Sequence, residues 1–159
     1  KYFNMTGWRL GWMVVPQELV QPIERLAQNL FICPSAIAQH AALACFERES
    51  LVRFEERKAA FKNRRDFLVQ ALRDLGFGVP VMPQGAFYIW ANCQNLYPHL
   101  GVDNSWDFTF ELMKKAHIAV APGRDFGQHE TDHFIRLSTA NSMENLVQSV
   151  QRMKALFNP

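Results

Sequence analysis

Cysteine is scarce in this 159-residue chain: Cys33, Cys45 and Cys93 are an odd number at wide spacing, with no CxxC pair. That excludes a disulfide framework and a thiolate zinc site, and the three are expected to be reduced, buried and small-apolar in behaviour. No apolar run approaches the roughly 20 residues of a membrane span, and Lys1-Tyr2-Phe3-Asn4 lacks the charged-then-apolar order of a secretory signal. Asn4-Met5-Thr6 is formally a glycosylation acceptor, discounted because nothing else points to secretion. Charge of one sign is missing as well. Seventeen basic against fifteen acidic residues leave +2, too small a surplus for dedicated nucleic-acid binding. An initiator methionine is also missing, and the chain opens on a charged residue followed by a strand-like run, so a piece of something longer is expected. What is present, 48% hydrophobic and 20% charged residues, is the balance of an ordinary globular protein. A cytoplasmic protein with small-molecule partners, and neither nucleic acid nor membrane among them, is the expectation.

Gly7 to Val15 is rich in aromatic and β-branched residues and closed by Pro16, which predicts a buried strand whose pairing partners lie elsewhere. Leu19, Ile23, Leu26 and Leu30 recur at helical spacing within a helix predicted over 18–31, and Ser35 is placed to cap a second helix to Phe46. Leu51, Phe54, Phe61, Leu68, Leu72 and Leu75 mark one long amphipathic helix, with Gly76 as its stop. Composition changes after it, at Pro80 and Pro83. A strand is predicted over 85–90, a helix over 105–115 capped by Ser105, strands over 118–121 and 134–138, and a final helix capped by Ser142. That order makes a small α/β layer. The division read from these changes is 1–47, 48–76 for the connecting helix, and 77–159.

Several motifs do not fit their surroundings. His129-Glu130-Thr131-Asp132-His133 matches HExxH, which holds zinc when a helix puts both imidazoles on one face. Here it stands between Phe126-Gly127 and a strand and lacks a helix's apolar face, so no metal is expected. Asp125-Phe126-Gly127 spells a magnesium-holding tripeptide, but no glycine-rich or His-Arg-Asp loop precedes it, and a turn is expected. His40 and His117 are read as packing residues. Arg57, Lys58, Lys62, Arg64 and Arg65 share their helix with Glu47, Glu49, Glu55, Glu56 and Asp66, which makes a solvated face.

Two arginines are harder to explain as packing. Arg9 lies in an apolar run between Gly7 and Gly11, where a charge needs a partner and a ligand can approach closely. In Phe134-Ile135-Arg136-Leu137-Ser138 the period of two turns Arg136 and Ser138 away from Ile135 and Leu137. Both guanidiniums suit bidentate capture of phosphate or carboxylate, and both would equally suit internal salt bridges.

Lys1 through Trp12, with Thr6-Gly7-Trp8-Arg9-Leu10-Gly11, resembles the cofactor-lysine segment of class I and II aminotransferases. Gly85-Ala86-Phe87-Tyr88, Ala119-Val120-Ala121-Pro122-Gly123 with Phe126-Gly127, and Ile135-Arg136-Leu137-Ser138 resemble three later blocks of that family, in the same order. The resemblance implies the carboxyl-terminal portion of a fold-type I transferase: a remnant of the large cofactor domain, the connecting helix, and a small α/β domain. It further implies pyridoxal 5'-phosphate as cofactor, bonded by Lys1 as the catalytic lysine and held at its phosphate by Arg9, with Arg136 on the substrate α-carboxylate. The reaction implied is amino transfer between an amino acid and a 2-oxo acid, in a homodimer when full length, this chain being a fragment inactive alone. A related lyase or synthase, or a non-catalytic sensing domain of a regulator, remains open. Arg124-Asp125 replaces residues that are small in many members, which bears on the loop surface or on the substrate entrance.

Overall fold

A computed structural model describes residues 1–157, which divide into two compact units, Lys1–Lys58 and the residues from Ala59 onward. In the first unit the predicted strand over 7–15 is not formed. A three-residue 3-10 turn, Thr6–Trp8, takes its place, and Arg9 beyond it sits at φ 55, in the left-handed region. Strand propensity is expressed only against a neighbouring strand, and no ladder partner exists for this segment among the described residues. The backbone is satisfied locally instead, with Trp8 N–H donating to Met5 O at 3.0 Å.

Helix α1, Gln17–Leu30, carries the expected apolar stripe, yet none of its residues is buried. Helix α2, Ala36–Leu43, buries Ala38 and Ala42, as small residues in close packing should. Ser35 precedes it but makes no side-chain cap bond, a correction to the sequence reading; Gln39 Nε2 donates to Pro34 O at 3.0 Å there. Cys33, expected buried, is exposed, because it falls in the surface connection between α1 and α2; Cys45 and Cys93 are buried, and all three are free.

Helix α3, Arg48–Asp74, stops as the glycine requires. Gly76 adopts φ 94, and Phe77 N–H reaches Leu72 O while Gly76 N–H reaches Arg73 O, both at 3.0 Å, closing a Schellman motif over the last turn. In the second unit β1, Tyr88–Asn92, pairs antiparallel with β3, Phe134–Ser138, and β3 pairs with β2, Ala121–Pro122, giving the order β1-β3-β2. The strand expected over 118–121 shrinks to that two-residue edge, since Pro122 has no N–H to extend a ladder. A short helix α4, Tyr97–Leu100, leads to α5, Ser105–Ala116, and α6, Met143–Phe157, ends the described chain.

Asn104, one residue before the expected serine, caps α5: its Oδ1 accepts from Asp107 N–H at 2.9 Å, while Ser105 occupies the first helical turn with its hydroxyl buried. Ser142 does cap α6, accepting from Asn145 N–H at 3.2 Å. The core lies between the sheet and the helices. Leu72, Ile89, Phe108, Leu112, Ile135 and Phe157 are fully or almost fully buried, and Phe108 stacks on Phe157 with centroids 6.1 Å apart. Burying one such side chain is worth about 1.5–3 kcal/mol, which is what holds the sheet rigid beneath its exposed face.

Candidate active site

The 3-10 turn bends the first segment so that Lys1 and Arg9, with Thr6 and Trp12, line one cavity of about 350 Å³. Arg9 is exposed, not the half-buried strand residue expected, because the turn ends at it. Its Nη1 lies 3.4 Å from Thr6 O. Gly7 and Gly11 face open space; a Cβ on either would touch nothing within 4 Å. The segment is held by rings. Phe3 lies 5.4 Å from both Phe46 and Trp12 and 5.6 Å from Phe54, and Tyr2 Oη donates to Glu55 Oε1 at 2.7 Å. A hydrogen bond from Lys58, then that from Tyr2, keeps the Glu55 carboxyl below its ordinary range, and the same Glu55 bond raises the Tyr2 phenol.

Arg136 belongs to the second unit. Ile135 and Leu137 are buried in β3 while Arg136 turns to the opposite face, as the period of two predicts. It is directly opposite Trp90 on β1 and Ala121 on β2. Its Cζ lies 4.2 Å from the Tyr88 ring centroid and 4.2 Å from that of Phe126. A cavity of about 520 Å³ opens here, lined by Val81, Pro83, Tyr88, Trp90, Phe126 and Arg136. Among the described residues no carboxylate pairs with Arg9 or with Arg136, so the internal salt bridges that their residue type allows are not made. The ring contacts of Tyr88 and Phe126 were not read from the sequence, although both residues stand in blocks it singled out.

The HExxH pentad is not an α-helix. Glu130 sits at φ 53 and a 3-10 turn spans Thr131–His133, so His129 and His133 do not share a helical face. Tyr97 holds that turn, with Oη donating to Asp132 O at 2.9 Å and lying 3.4 Å from His133 Nδ1. Asp125 and Phe126 fall in a 3-10 turn over Gly123–Phe126.

The sequence pattern of the aminotransferase class I and II family matches residues 1–153. The chain belongs to this family. A (5-formylfuran-3-yl)methyl phosphate transaminase of Methanocaldococcus jannaschii is 35% identical over 99% of this chain and 40% of its own length. A valine–pyruvate aminotransferase of Mycobacterium tuberculosis is 31% identical over 96% of the chain and 38% of its own length. The crystal structure of an aminotransferase from Mycobacterium tuberculosis superimposes with a TM-score of 0.88 at 31% identity, over 99% of this chain and 39% of that one. The chain thus spans about 40% of the length of the aminotransferases it resembles, and its mixed helix-and-sheet architecture matches the carboxyl-terminal portion of the fold-type I enzymes. No helix among the described residues is long and apolar enough to cross a membrane.

Proposed function

We propose that this chain supplies the carboxyl-terminal part of a pyridoxal 5'-phosphate-dependent aminotransferase that moves an amino group between an amino acid and a 2-oxo acid. The observation that carries the reading is the shared cavity of Lys1 and Arg9, the residues that the resemblance of Lys1 through Trp12 to the family's cofactor-lysine segment implies as amine and phosphate ligand. The donor set fits the cofactor: an amine for an aldehyde carbon, a guanidinium and the Thr6 hydroxyl for a phosphate, and aromatic walls for a flat ring. When bound, the cofactor supplies an electron sink for the substrate α-carbon.

The rest falls to side chains. With the cofactor bound, the Lys1 ε-amine would hold it at its aldehyde carbon and, when free, would carry a proton to and from the substrate α-carbon. Arg9 fixes the phosphate end. Arg136, which no carboxylate among the described residues neutralises, takes the substrate α-carboxylate in a bidentate, charge-assisted pair. By function the chain divides into 1–47 as part of the cofactor domain, 48–76 as the connecting helix, and 77–159 as the small domain. A homodimer in the cytoplasm completes the proposal; three free cysteines suit a reducing compartment.

Three substitutions in the intact protein that contains this chain separate the roles. Lys1→Ala is expected to abolish covalent cofactor attachment, read from the visible absorbance. Arg9→Ala is expected to weaken cofactor retention. Arg136→Ala should keep the cofactor and lower kcat/KM for both amino and oxo substrates by about 2–5 kcal/mol of binding free energy. Full transaminase activity in Lys1→Ala would reject the proposal.

A further inference from the structure

The donors of Arg136 lie in the plane of its guanidinium, and two rings pack against the group. Its Cζ lies 4.2 Å from the centroids of both Tyr88 and Phe126, a cation–π contact with each ring. Tyr88 is fixed by β1, where it pairs with Ser138 on the same exposed face as Arg136. Phe126 comes from a turn, and the turn is clasped. A Cβ on Gly123 would lie 2.2 Å from Thr131 O and 2.6 Å from Phe134 O, so the backbone of 123–126 is pressed directly on that of 131–134. Thr131 Oγ1 donates to Gly127 O at 2.8 Å. Trp90 meets Phe126 edge-on at 5.7 Å and stacks on Phe134 at 5.4 Å with 7° between planes. From the outer side Arg124 lies over Trp106, Cζ 3.3 Å from the ring centroid, tying the same turn to α5.

We propose that Tyr88 and Phe126 are positioning residues for carboxylate capture: their rings hold the Arg136 guanidinium in place for the ligand. The inference rests on the reading of Arg136 as the carboxylate site. An arginine left free must surrender the rotamer freedom of a long side chain whenever a carboxylate binds, and one already held by rings has surrendered it beforehand. Rings beside the cation also displace water from its surroundings, which strengthens its pairing with a carboxylate. Because the carboxylate is held alike in the ground state and in the transition state, loss of the grip should raise KM and leave kcat nearly unchanged.

The experiment compares Tyr88→Leu, Phe126→Leu, Tyr88→Phe, Phe126→Tyr and Arg136→Ala in the intact protein. It measures the competitive inhibition constant of propionate, a carboxylate with no amino group, together with KM, kcat and Tm. The leucine variants are expected to weaken propionate and raise KM by about 3- to 30-fold, the range of a cation–π contact, with kcat within about twofold. The aromatic exchanges should restore wild-type values. In an Arg136→Ala background the leucine substitutions should have no further effect. Leucine variants that bind propionate as the wild type does, while Arg136→Ala has lost it, would overturn the positioning role and leave the Arg136 reading standing. Wild-type propionate affinity in Arg136→Ala would overturn both. Each leucine variant is judged separately, so that if Tyr88→Leu does not fold, Phe126→Leu at its exposed site still decides.

Discussion

The two units of this chain have similar ingredients and very different interiors. The unit from Ala59 onward closes a core over its sheet, with Leu72, Ile89, Phe108, Leu112 and Ile135 all 0% exposed. The unit Lys1–Lys58 buries Ala38, Ala42, Cys45 and Phe54, while Val14, Leu30, Ile32 and Ile37 stand at 76% exposure or more. The difference is not one of apolar content. In the second unit, strands and helices distant in sequence supply partners for one another; in the first, the apolar stripe of α1 meets nothing to bury against among the described residues. The two candidate sites inherit this contrast. Arg136 projects from a strand whose other face is core, whereas Lys1 and Arg9 depend on a 3-10 turn and a cluster of rings. A site on a packed strand is held more firmly than one on a turn.

The contrast breaks most visibly at Phe108. It is fully buried and meets Phe77, Tyr97 and Phe157, so Phe108→Ala should cost about 3–5 kcal/mol in denaturant unfolding of the second unit. A loss under about 1 kcal/mol would show that the core is not what stabilises that unit. Gly123→Ala comes next, because its methyl would collide with the backbone oxygens of Thr131 and Phe134, where no flexible side chain can yield. The expected cost is about 1–3 kcal/mol, with faster hydrogen exchange at the amides of 124–134; unchanged exchange there would mean that the clasp is loose.

High pH probes the same core from its titratable side. Burial pushes the Cys93 thiol up to about 12, and burial raises the Tyr97 phenol as well. A thiol whose native pKa lies above its unfolded value of roughly 8.5 stabilises the fold fully below that value, and the contribution is lost as pH rises toward the native one. Stability should therefore decline between about pH 9 and pH 12, with Cys93 adding at most about 1.4 kcal/mol per pH unit. Cys93→Ala should flatten that slope. An identical slope in the variant would show that the buried thiol is not its source.

Legibility in the sequence followed the same division. Helices α3, α5 and α6 and strand β3 were readable because their apolar period matches a real buried face, and Arg136 was placed correctly on the other side of β3 by the period of two. The strand expected over 7–15 failed because β-propensity states what a segment can do beside a partner, and none is described for it. The cap of α5 shifted from Ser105 to Asn104 because two adjacent residues could both accept and only geometry chooses between them. Lys1, Arg9 and Arg136 are singled out as candidates by resemblance to a family. The shared cavity of the first two was not, since a turn and not a spacing brings them together. Nor could any pattern show that rings from β1 and from the 123–126 turn meet on one guanidinium.

The smallest expected effect is the sharpest test of the contrast. Leu30 occupies the apolar stripe of α1 and is 76% exposed, so by its spacing it should matter and by its surroundings it should not. Replacing it with glutamine removes little buried area, leaves a residue of comparable helix propensity, and creates no cavity. Leu30→Gln in the 159-residue chain should therefore change unfolding free energy by no more than about 0.5 kcal/mol, in contrast to Phe108→Ala measured the same way. Its solubility should rise, because an exposed apolar patch promotes association between copies. A destabilisation near that of Phe108→Ala would mean that α1 is packed in solution, and that the first unit has an interior of its own after all.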